Sequence, residues 1–113
     1  MPYQLVCIDD PEKPGLRNRI RAEHLRYMIA HRDVILFGGP LKGPDGASIG
    51  SAFALSYDDR ADVDAFLAEE PYTVAGLFSR LEIYPIAVMM PERRPGFLQE
   101  ELARELGSGE AAR

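Results

Sequence analysis

The chain has 113 residues, 46% of them apolar and 27% charged, and its 18 acids against 13 bases leave a net charge of −5. That length holds one hydrophobic core rather than two, and the acidic balance excludes the broad basic surface that a nucleic-acid partner requires. No apolar run approaches the ~20 residues that span a bilayer and no basic-then-apolar leader opens the chain, so a cytoplasmic protein without a membrane partner is expected.

Tyr3–Asp9 reads as a strand, stopped by the breaker Asp9-Asp10-Pro11. Its Cys7 is the sole cysteine, which excludes an internal disulfide or a cysteine-based metal framework and leaves a small buried hydrophobe. After Pro14-Gly15, Leu16–His31 has helical composition with no internal Gly or Pro. At about 100° per residue, Leu16, Ile20, His24, Tyr27 and His31 share one face, while Ala22, Leu25 and Ile29 form a second apolar sector. Arg17, Arg19, Arg21 and Arg26 spread around the same helix, which suits a small anionic ligand better than a polyanion.

Val34–Phe37 reads as a short strand closed by Gly38-Gly39-Pro40, and Leu41–Ser48 as a turn-rich loop. Ile49–Tyr57 resumes strand character. Asp58 and Asp59 are candidate N-caps for a helix through Glu69 that buries Val63, Phe66 and Leu67. Pro71 forbids the helical conformation to Glu70, so the helix stops there and a carboxylate stands at the chain break. One helical turn fits within Pro71–Phe78. Leu81–Met90 reads as the last strand, with Pro85 marking an edge or bulge. Pro91–Pro95 is a linker, Phe97–Leu106 is weakly helical through Leu98, Leu102 and Leu106, and Gly107–Arg113 is expected to fray.

The order β-α-β-β-α-β defines an α+β, ferredoxin-like fold, a four-stranded antiparallel sheet with both helices on one face. The expected division is residues 1–90 as this domain and 91–113 as a C-terminal extension, partly helical or disordered. Nothing in the chain is long enough to cover the second sheet face, so a homodimer through the sheet faces is expected.

Among the chemistry-bearing residues, histidine both takes and returns a proton near neutral pH. His24 lies on a mixed face and Glu70 at an element end; Glu69 is the alternative acid. His31 falls at the helix end, where a cation is favourable. Two histidines seven residues apart make no metal site without a third ligand, so no metal is expected. Arg17 and Arg21 are spaced to hold an anionic group, and Tyr27 and Tyr72 are candidate pocket walls. Gly38-Gly39-Pro40 ends a strand rather than opening a helix, which is wrong for a phosphate loop. With Gly50 and Ser51 it fits a tight pocket rim, and Ser51 lacks the context of a nucleophile.

Taken together, Arg17-x-x-x-Arg21-x-x-His24-x-x-Tyr27, Phe37-Gly38-Gly39-Pro40-Leu41, Asp45-Gly46-x-x-Ile49-Gly50-Ser51, Glu70-Pro71-Tyr72-x-x-Ala75-Gly76-Leu77-Phe78 and Glu82-Ile83-x-Pro85 resemble the YciI-like (YCII-related) family over residues 3 to 88. The resemblance implies a dimeric α+β barrel with a histidine–aspartate pair in a pocket between helix and sheet. One relative in that family is a dehydrochlorinase of a chlorinated hydroxyquinol. Carried over by position, the histidine is His24 and the acid is Glu70, one methylene longer than the family's aspartate. The implied function is cofactor-independent general acid/base proton transfer, of isomerase or lyase type, on a small cyclic or enolisable substrate. Arg17, Arg21, Tyr27, Gly39, Pro40, Ser51 and Tyr72 would bind that substrate. The alternatives are a non-catalytic ligand-binding module on the same scaffold and a dimer whose role is assembly.

Overall fold

Strict alternation builds the central strand. In β1 (Tyr3–Asp9), Leu5 and Cys7 are fully buried, while Gln4, Val6 and Ile8 point to the opposite face. The computed structural model describes residues 1–111. β1 is followed by α1 (Leu16–Ala30), a 3-10 turn (Arg32–Val34), β2 (Ile35–Lys42), β3 (Ser48–Leu55), α2 (Arg60–Glu69), the single turn α3 (Pro71–Val74), β4 (Phe78–Pro85) and α4 (Phe97–Ala111).

The sheet order is β2-β3-β1-β4 and every pairing is antiparallel, as the ferredoxin-like reading requires. Leu5 lies opposite both Phe53 and Ile83, so these three form one row on the helix-bearing face. Val63, Phe66 and Leu67 of α2 pack onto that face with Leu5, Cys7, Phe53 and Leu55. The other face carries Val6, Ile8, Phe37, Ala52, Ala54 and Tyr84, and Phe37 and Tyr84 are more than half exposed.

Several element ends differ from expectation; β3, for one, runs Ser48–Leu55 rather than Ile49–Tyr57. β2 does not close at Gly38-Gly39-Pro40 but runs through it to Lys42, because β2 is an edge strand and Pro40 has no ladder bond to forfeit on its open side. β4 begins at Phe78 rather than Leu81 and ends at Pro85 rather than Met90, where its partner Tyr3 is itself the first residue of β1. Asp59 occupies the N-cap of α2 without a side-chain cap, and Asp58 pairs with the amino terminus at 3.1 Å. Lastly, α4 continues through Ala111 instead of fraying after Leu106; residues 112–113 lie outside the described residues.

The Cα radius of gyration is 18.0 Å, against roughly 13 Å for a compact chain of this length. The longest axis is 57 Å, and Leu102 and Leu106 of α4 are each 60% exposed.

Candidate active site

Pro71 is the local cause of the site. It ends α2 and leaves Glu70 extended (φ −69°, ψ 123°) as the N-cap of α3. From there the side chain curls back over its own turn. Its Oε1 accepts from the Tyr72 N–H at 3.1 Å, and its Oε2 accepts from the Thr73 N–H and hydroxyl, each at 2.9 Å. A fourth donor arrives from α1: His24 Nδ1 reaches Oε1 at 2.6 Å. Only 2% of Glu70 is exposed. Burial by itself would push its carboxyl up, but the bonds from His24, Tyr72 and Thr73 together hold it below the usual glutamate range.

A carboxylate on Nδ1 fixes the tautomer, since only Nδ1–H can donate to it. The other ring nitrogen, Nε2, is then the acceptor of the neutral ring. The ring stacks on Tyr72, with centroids 4.0 Å apart and planes 13° from parallel. Burial pushes the Tyr72 hydroxyl up against the opposing pull of Arg17 and Arg21, so it stays protonated at neutral pH.

Arg17 completes the layer. Its guanidinium carbon lies 4.7 Å from the Tyr72 ring centre, and its fork grips Asp9 with two bonds of 2.8 Å. The same fork donates to Ser51 Oγ at 3.0 Å. Arg17 is therefore a clamped part of the wall.

In front of His24 lies a groove of about 680 Å³ between α1 and the β2–β3 side of the sheet. Arg17, Arg21 and Tyr72 border it at the histidine end, Gly39 and Pro40 form the strand rim, and Ser51 lies beneath. Glu70 sits behind His24. Tyr27, expected to bind substrate, does not line the groove: its hydroxyl donates to the Phe66 carbonyl at 2.6 Å, tying α1 to α2. Burial, with Glu69 the next contributor, pushes that hydroxyl up to about 12. The fallback acid Glu69 is exposed and makes no bond to His24. His31 caps α1, its Nδ1 donating to the Tyr27 carbonyl at 2.8 Å.

The sequence reading missed Asp9, Thr73, Arg32 and Lys42. Arg32 had a legible signal, since Arg21, Leu25, Met28 and Arg32 follow helical spacing along one side of α1, and all four line the groove. For Asp9 there was none: it read as a strand breaker, and only the fold sets it against Arg17. Among the described residues, no three His, Cys, Asp or Glu side chains cluster as metal ligands.

Fold and site together define a small ferredoxin-like α+β protein whose groove between helix and sheet holds a carboxylate-bound histidine. The chain belongs to the family of the YCII-related domain, which matches residues 1–87. Among solved structures it is similar to 5-chloro-2-hydroxyhydroquinone dehydrochlorinase from Burkholderia phenoliruptrix, in complex with 2,5-dihydroxybenzoquinone. The two are 25% identical with a TM-score of 0.74, over 81% of this chain and 99% of that one. It also resembles Rv0793 from Mycobacterium tuberculosis, at 16% identity and a TM-score of 0.49, over 80% of this chain and 99% of that one. No curated protein matches the chain.

Proposed function

We propose that this protein is a small-molecule enzyme in which His24 is general base and acid, held by Glu70, acting on a small cyclic or enolisable substrate. The observation that carries the reading is the 2.6 Å bond from His24 Nδ1 to a buried carboxylate, with the opposite edge of the ring left for the groove. Nε2 takes a proton from a substrate O–H or C–H, and the paired Glu70 stabilises the imidazolium that forms. Arg21 supplies positive charge beside the developing oxyanion. On a halogenated substrate, the electron pair released by deprotonation expels halide, and HX leaves overall. On an enolisable one, the proton returns to a different atom and the result is isomerisation. The likeness to a dehydrochlorinase supports the first form.

Residues 1–90 carry this activity as one domain, with 91–113 appended. Two copies pair through their open sheet faces, where Val6, Ile8, Phe37 and Tyr84 otherwise meet water. The test is chloride release from chlorinated hydroxyquinols. His24→Ala should lower kcat by ~10²–10⁴-fold, and Glu70→Gln should lower it while leaving KM nearly unchanged. Wild-type turnover by His24→Ala would remove the assignment, and ligand binding without turnover in the wild type would leave a binding module.

A further inference from the structure

Helix α4 carries Leu98, Leu102 and Leu106 at successive intervals of four, so they form one stripe about 12 Å long. Leu102 and Leu106 are each 60% exposed, uncovered by their own chain. The base of the helix is nevertheless well built. Phe97 is 4% exposed, with the Arg93 guanidinium 4.4 Å from its ring centre. Arg94 pairs with Glu100, and the Leu98 N–H reaches Glu92 at 3.5 Å. These contacts lie within residues 92–100 and hold the base of α4, while Leu102 and Leu106 beyond it are left exposed.

The groove has the matching surface. Along its α1 wall, Leu25 and Ile29 are 39% and 59% exposed. They lie between Arg21 of α1 and Arg32 of the 3-10 turn that follows it, and Lys42 stands on the opposite strand. By helical spacing, Glu101 and Glu105 edge the leucine stripe of α4, with Glu101 also bonded by Arg104 at 3.1 Å. An apolar stripe with an acidic edge thus faces an apolar wall with a basic rim.

We infer that α4 of one copy docks in the groove of a second copy, setting Leu102 and Leu106 against the partner's Leu25 and Ile29. The partner helix then closes the groove mouth and leaves its His24 end as the ligand chamber. This inference stands on the two surfaces and does not depend on the catalytic reading.

The experiment is paired-cysteine cross-linking in the full chain. Native Cys7 is fully buried and silent. Leu102→Cys and Ile29→Cys chains, co-expressed and mildly oxidised, should give a covalent dimer that neither forms alone. Linkage by Leu102→Cys alone would mean that the arms pair with each other. With both changes in one chain, a disulfide-closed monomer would mean that the arm folds back. Either result overturns the inference, as does the absence of any link. Independently, Leu102→Glu/Leu106→Glu should shift the methyl resonances of Leu25 and Ile29 and leave Val6 in place; unmoved Leu25 and Ile29 signals overturn it as well.

Discussion

At the scale of single residues, one Glu70 carboxylate both caps α3 and bonds His24. The chain curls back so that the α3 amides and His24 all donate to it. The net result is a carboxyl held below its reference value of 4.5. A depressed folded pKa contributes stability that is fully present above the unfolded value and is lost as pH falls through the folded one. Glu70→Gln, which does not titrate, should therefore destabilise the protein near neutral pH, and the part due to Glu70's own ionisation should shrink as pH falls below 4.5. Urea unfolding of both proteins from pH 7 to 3 measures this, and parallel curves over that range would show that Glu70 is not the coupled group.

At the scale of elements, the closest approach is between β3 and β1. A Cβ on Gly50 would stand 2.2 Å from the Cys7 carbonyl oxygen, a backbone atom that cannot step aside without parting the two central strands. On Gly38 it would meet the Phe53 Cβ at 2.9 Å, whereas on Gly39 it would meet nothing within 4 Å. The expected order of destabilisation is Gly50→Ala first, by about 3 kcal/mol or more, then Gly38→Ala, with Gly39→Ala within about 0.5 kcal/mol of wild type. Chemical denaturation ranks them. This glycine-rich run also misled the reading of β2, because Gly-Gly-Pro punctuates most chains but is admissible in an edge strand.

At the scale of the whole molecule, a 12.6 kDa chain leaves apolar side chains without intramolecular cover on the outer sheet face and along the α4 stripe. They make separable predictions. Val6→Asp places a charge at the centre of the open sheet face, and combined with Leu102→Glu and Leu106→Glu it should give the single-chain mass in sedimentation where the wild type shows twice that value. A dimer of unchanged stability would move the interface elsewhere. Substitution at Leu102 and Leu106 should alter the groove without necessarily dissociating the sheets.

The amino-acid sequence alone determined whatever depends on near neighbours. Strand-type composition up to the breaker Asp9-Asp10-Pro11 marked β1, and helical spacing placed Val63, Phe66 and Leu67 in the core. Pro71 stopped α2 at Glu70, and the order of elements implied the sheet. His24 and Glu70 were each visible as residues, but their pairing came from family resemblance, since nothing in spacing joins groups 46 positions apart. Only the tertiary structure decided that Asp9 and Ser51 clamp Arg17, that Tyr27 turns toward Phe66, and that Leu102 and Leu106 of α4 are left exposed. Those outcomes depend on strand register and on how helices cross the sheet, so each is fixed by residues distant in the chain.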